Sequence, residues 1–177
     1  MNKSSEIQNQ DAAMTRRRRI AIILILIADI GFMAWSAMAA LLPEHLLGPG
    51  SKPILQAEYE GFTGLSWADL NSATPGIAHF TTVLFRMYGA YCTIFALLVV
   101  FITVTAFRRG ERWAWWALLV SNTLAYGSAM VFDKVVNAIG AFEMTEYLGI
   151  AAIYVALAIT APFLAIRRTQ MPRPLPD

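Results

Sequence analysis

The chain has 177 residues, 57% hydrophobic and 15% charged, with a net charge of +2 and a mean hydropathy of +0.51. Soluble domains carry roughly 45–50% apolar and about 25% charged residues, so an ordinary water-soluble globule is excluded and the excess is expected to face lipid. The single cysteine, Cys92, excludes an intramolecular disulfide or a Cys-x-x-Cys redox pair, and His45 and His79 are too few for a bis-histidine haem within the apolar runs.

Residues 1–19 are polar and end in Arg16, Arg17, Arg18 and Arg19, which predicts a disordered basic segment. The first apolar run, 20–42, contains one charge, Asp29, and exceeds the ~20 residues needed to cross a bilayer. Its basic flank and Ala37-Met38-Ala39 also resemble a secretory signal with a cleavage site. The run is longer than the usual core of roughly 7–15 residues and is interrupted by Asp29, which favours an uncleaved anchor.

The loop 43–76 carries Glu44, Glu58, Glu60 and Asp69 against Lys52. Gly48-Pro49-Gly50 and Lys52-Pro53 mark turns. Ser66-Trp67-Ala68-Asp69-Leu70 predicts a short helix capped by Ser66, with Trp67 and Leu70 at the membrane surface. Thr74-Pro75 reads as the cap and first position of the next helix.

The second run, 77–107, stops at Arg108 and Arg109, and Gly110 supplies a tight reversal into the third, 113–136. Trp113, Trp115 and Trp116 open that run as an interfacial belt. Gly89 on the second span, and Gly127, Ser128 and Ala129 on the third, are expected to permit close helix approach. The fourth run, 147–166, contains Pro162, a predicted kink, and stops at Arg167 and Arg168 before a disordered tail, 167–177.

A cytoplasmic N-terminus puts eleven of the fourteen basic residues inside, whereas the reverse orientation exports every arginine cluster. The expected fold is therefore all-α: an integral membrane four-helix bundle over 20–166, with both termini cytoplasmic and the loop 43–76 outside. The expected location is the bacterial plasma membrane.

Counting ~1.5 Å per residue from the cytoplasmic ends places Asp29 near the midplane, level with Ser121 and Asn122, with Tyr126 one turn further out and Tyr154 nearby on the fourth span. A mid-bilayer carboxylate costs roughly 2.5–3.5 kcal/mol, so Asp29 is expected to face the interior, as a proton- or ligand-binding group or as a hydrogen-bonded clasp to Asn122 or Ser121. Arg86, Asp133, Lys134, Glu146 and His79 map to an outer rim, too far from Asp29 for a direct ion pair between Asp29 and Arg86. That rim is either a solvated set of ion pairs or, if Arg86 is buried against Asp133 or Glu146, a site for a polar head group.

Arg86-Met87-Tyr88-Gly89 and Arg108-Arg109-Gly110-Glu111-Arg112-Trp113-Ala114-Trp115 resemble a pattern in small bacterial four-span proteins of the DoxX-like group. The resemblance covers about the second and third spans; it implies a four-helix membrane bundle and brings no catalytic residues. Asp29 is similar in position to the first-span carboxylate of small multidrug-resistance transporters, although those are shorter and carry little orientation bias. Sterol-isomerase-like four-span enzymes also use buried acids, but no matching acid motif is present here.

Nucleotide-binding, zinc-protease and nucleophile-elbow motifs are absent, and the basic clusters flank the membrane rather than form a nucleic-acid face. The expected function is a non-catalytic membrane bundle, either an accessory subunit of a protein complex or homo-oligomer, or a binder of a lipid-like ligand. The alternative is a small proton-coupled transporter using Asp29. No cofactor or metal is expected; the expected partners are the bilayer itself and anionic lipid at Arg108, Arg109 and Arg112.

Overall fold

The computed structural model describes residues 3–136 and 143–161. Among them are six α-helices and no strand. Helix α1 (Lys3–Leu41) is followed by the 3₁₀ turn Pro49–Ser51, then α2 (Ile54–Thr63), α3 (Trp67–Ala73), α4 (Pro75–Ile102) with a π-helical turn at Thr103–Phe107, α5 (Arg112–Val136) and α6 (Glu143–Thr160). Two helices are long and apolar enough to cross a membrane: α1 over Thr15–Leu41, and α4 with its π turn over Pro75–Phe107. The apolar part of α6, Glu146–Thr160, is shorter among the described residues. Helix α5 is long enough, but Ser121, Asn122, Thr123, Tyr126 and Ser128 dilute its apolar character.

Residues 3–19 are helical rather than disordered. Extending an existing helix costs far less than nucleating one, and Ala12, Ala13 and the arginines are good helix formers. The helix stops at Leu41 because Pro43 disfavours helical geometry at the residue before it. Pro162, Arg167, Arg168 and the tail lie outside the described residues.

The four long helices turn back on one another. A methyl built on Gly89 of α4 would meet the backbone of Ser36, Ala39 and Ala40, and one built on Gly110 would meet the Arg18 guanidinium. Residue numbers thus rise on α1 as they fall on α4, which makes the pair antiparallel and brings the N-terminal arginines beside the Arg108–Arg112 turn. Gly110, at φ +78°, makes the reversal into α5. Trp115 Nε1 donates to Leu157 O at 3.0 Å and Thr123 Oγ1 meets Tyr154 Oη at 2.7 Å, so α5 and α6 are antiparallel as well. Helix α1 packs along both α4 and α6.

The inward stripe repeats every three or four residues: Ala21, Ile25 and Asp29 on α1; Ala96, Val99 and Thr103 on α4; Ala114, Leu118, Asn122 and Tyr126 on α5; Ile153, Ala156, Leu157 and Thr160 on α6. The opposite faces expose Ile23, Ile27, Tyr91, Ile94, Phe101, Leu124 and Leu148, an apolar exterior that water-soluble monomers rarely carry. Gly127 departs from expectation. A methyl there meets nothing within 4 Å, so no helix backbone approaches it closely.

The loop 43–76 is more ordered than its turn-rich sequence suggested. Leu47 and Pro53 pair across the Gly48–Lys52 turn, and α2 buries Ile54, Leu55 and Ala57. The α3 cap is as expected, Ser66 Oγ accepting from Ala68 N–H at 3.1 Å. Thr74 precedes Pro75, but its hydroxyl donates back to Leu70 O at 3.1 Å rather than capping α4. Trp67 meets Tyr59 edge-on with ring centroids 5.4 Å apart, which turns it toward α2 and leaves it only partly exposed.

Glu60 ties this cap together, accepting from Lys52 Nζ and from Trp67 N–H. The Lys52 hydrogen bond first, and the Trp67 backbone bond second, hold its carboxyl below the usual value. A carboxyl depressed in the folded state contributes stability above the ordinary glutamate range and loses it as the pH falls through the depressed value. Acidification below that range is therefore expected to speed amide hydrogen exchange at the start of α3 before the long helices respond. Lys52→Gln is expected to move this loosening to higher pH.

Candidate functional site

Two features lie inside the bundle, a buried polar layer and a lateral groove. The layer is set by register. The Phe32 and Tyr126 rings are 5.5 Å apart, and one turn before each lie Asp29 on α1 and Asn122 on α5, so these two occupy one level. Asp29 is 0% exposed and Asn122 1%. Asn122 Nδ2 donates to Leu118 O at 2.9 Å, within its own helix. Both Asp29 oxygens, Asn122 Oδ1 and Ser121 Oγ have no hydrogen-bond partner among the described residues. The expected clasp from Asp29 to Asn122 or Ser121 is thus not formed. These buried polar atoms are left unsatisfied, which is a cost to folding.

Tyr154, expected near this level, points to the outer α5–α6 seam, where it is 37% exposed and bonded to Thr123. Helix α6 descends beside α5 there, so its buried stripe is Ile153, Ala156 and Leu157 instead.

The outer rim divides. Arg86 is exposed and reaches Glu44, just beyond the end of α1, at 3.3 Å. Such an exposed pair contributes about 0–1 kcal/mol. Asp133 is buried at 8% exposure and accepts from Tyr147 Oη at 3.4 Å, joining α5 to α6. Lys134 and His79 are exposed, and Glu146 is partly buried. Arg86 therefore does not join Asp133 or Glu146 in a buried head-group site.

The groove was not foreseen. It opens between α1 and α6 with a volume of about 440 Å³. Leu24, Ile27, Ala28, Gly31, Phe32 and Trp35 of α1 form one wall; Leu148, Gly149 and Ala152 of α6 form the other; Tyr126 and Glu146 stand at its outer end. The small residues create it. Gly31 has nothing within 4 Å of a built methyl, whereas a methyl built on Gly149 would just reach van der Waals contact with Ala28 Cβ at 3.9 Å. The sequence signal was available in Gly31 and Gly149 on facing helices, yet glycine spacing alone does not say which pairs of helices meet.

Asp29 does not line this groove, although its neighbour Ala28 does. No cluster of three or more His, Cys, Asp or Glu residues suited to a metal occurs among the described residues. Of the three tryptophans expected to form an interfacial belt, Trp115 turns inward to α6, while Trp113 and Trp116 are exposed at the arginine end. No family model, curated protein or solved structure matches the chain.

Proposed function

We propose that this chain is a four-span bundle of a bacterial plasma membrane, with both termini cytoplasmic, and that it holds a lipid-like molecule in the groove between α1 and α6. The groove carries the reading: a lateral, largely apolar cleft of about 440 Å³ with its polar groups confined to one end suits an amphiphile entering from the bilayer. The four-span topology is supported by the antiparallel order of the four long helices and by Arg18 lying against Gly110, which gathers two arginine clusters at one end. That end also suits anionic head groups at Arg108, Arg109 and Arg112.

The transporter alternative needs access to Asp29. Its complete burial supports a closed bundle and weighs against that alternative. Gly31→Leu tests the binding role, because Gly31 lines the groove and a β-carbon there enters open space. After gentle detergent extraction, mass spectrometry of the native chain is expected to find a bound amphiphile at about one per chain, and Gly31→Leu is expected to lose it while keeping its helical content. Equal lipid retention by both proteins would contradict the reading.

A further inference from the structure

The turn between α4 and α5 meets α1 in a contact that fixes one guanidinium. A methyl built on Gly110 would lie 2.9 Å from Arg18 Nη2, 3.1 Å from Cζ and 3.3 Å from Nη1, so the guanidinium occupies space that a side chain there would take. Arg18 is half-buried at this place, whereas Arg16, Arg17 and Arg19 are exposed.

Cations dominate the surroundings of that contact. Arg108 and Arg109 precede the glycine and are exposed, while the acid that follows it, Glu111, is engaged on its own segment: it accepts from Trp113 Nε1 and lies 4.0 Å from Arg109 Nη1. Arg18 and Arg108 make no ion pair among the described residues. Fixing a guanidinium against a turn that carries two more cations costs energy, which an anion seated there would offset. Packing against Gly110 orders the Arg18 side chain before any anion arrives, so binding forfeits less rotamer freedom.

We infer that Arg18, Arg108 and Arg109 form one phospholipid head-group site, built jointly by α1 and the α4–α5 turn, and that a lipid with two linked phosphates fills it best. This rests on the reading of that end as a seat for anionic head groups and is independent of the groove. Each guanidinium presents N–H donors in a planar fork that matches phosphate oxygens in pairs. One phosphodiester offers two unesterified oxygens, enough for one such fork. Three arginines from two neighbouring segments therefore favour a second phosphate.

Surface attraction alone would treat the arginines of α1 alike. Arg16 carries the same charge two residues away, about 200° around the helix axis, and so lies on the face away from the turn. That pair separates a built site from a charged surface.

The test uses the full chain in neutral detergent at about 0.15 M ionic strength, where exposed charges more than about 8 Å apart are largely screened. Native mass spectrometry compares diphosphatidylglycerol, phosphatidylglycerol and phosphatidylcholine, with soluble pyrophosphate as a competitor. Diphosphatidylglycerol is expected to bind about tenfold more tightly than phosphatidylglycerol, and phosphatidylcholine most weakly. Arg18→Gln should weaken diphosphatidylglycerol about tenfold, and Arg16→Gln by less than about threefold. Arg18→Lys keeps the charge but not the fork; it should weaken binding too, and serves if Arg18→Gln does not accumulate. Equal losses from Arg16→Gln and Arg18→Gln, with both anionic lipids still preferred over phosphatidylcholine, would overturn the joint site and leave the anionic reading standing. No preference over phosphatidylcholine would overturn both. Equal binding of the two anionic lipids would overturn the second phosphate, and displacement of lipid by an equal concentration of pyrophosphate would overturn a lipid as the occupant.

Discussion

Gly89→Leu is expected to prevent the bundle from forming, and Gly89→Ala to destabilise it by about 1–3 kcal/mol. A methyl on Gly89 would lie 2.5 Å from Ala40 N and 2.8 Å from Ser36 O, both backbone atoms that cannot rotate away. The helices must separate to admit it. Separation loosens the packing of Ala39 and disturbs the seat of Leu46 and Ile54, which pack on Ala39 beneath the cap formed by residues 43–76. Alanine gains about 1 kcal/mol of helix propensity over glycine, but overpacking at a backbone crossing outweighs that gain. Gly127→Ala is the matched control. With nothing within 4 Å of its methyl, it keeps the propensity gain and should be neutral or slightly stabilising. Denaturation in a graded detergent series, followed by circular dichroism, compares the three proteins; equal midpoints for Gly89→Ala and the parent would contradict the close crossing.

Asp29→Ala is expected to stabilise the bundle by about 1–2 kcal/mol, an unusual sign for truncation of a fully buried residue. Most buried side chains repay their burial with contacts. Asp29 instead buries two oxygens that no described group satisfies, a cost of about 1–3 kcal/mol on mutational scales. Truncation removes that cost and leaves a small void whose penalty is well under the gain. Asp29→Asn separates charge from shape, since it stays isosteric and brings a donor able to meet Asn122 Oδ1. If Asp29→Ala unfolds at lower detergent strength than the parent, the carboxyl has a stabilising partner in the folded protein and this account of the layer is wrong.

The long helices were legible because apolar length and arginine stops are one-dimensional signals. The runs expected at 77–107 and 113–136 are helical over Pro75–Phe107 and Arg112–Val136, the former long and apolar enough to cross a membrane, with Gly110 turning between them as its sequence context required. Depth counting also placed Asp29 and Asn122 at one level, because a helix rises by the same amount per residue whatever its neighbours. What rotation decides was less legible. Tyr154 sits at the expected depth but faces outward, and Gly127 looks like Gly89 in sequence while lacking any close neighbour.

The cap shows a different limit. Ser66 announced α3 through a local hydrogen bond, whereas α2 depends on burying Ile54, Leu55 and Ala57 against the bundle, a tertiary reward invisible in a ten-residue segment holding two acids and a glycine. The groove is likewise a product of pairing. Gly31 and Gly149 acquire meaning only once α1 and α6 lie side by side.

The proposed topology puts the arginine end in the cytoplasm and the cap outside, and impermeant thiol labelling tests that directly. In a Cys92→Ala background, Ser66→Cys marks the α3 cap and Glu111→Cys the α4–α5 turn. A membrane-impermeant maleimide applied to intact spheroplasts should label Ser66→Cys at once and Glu111→Cys only after the membrane is opened. Labelling of Glu111→Cys from outside, or protection of Ser66→Cys until lysis, would contradict the topology.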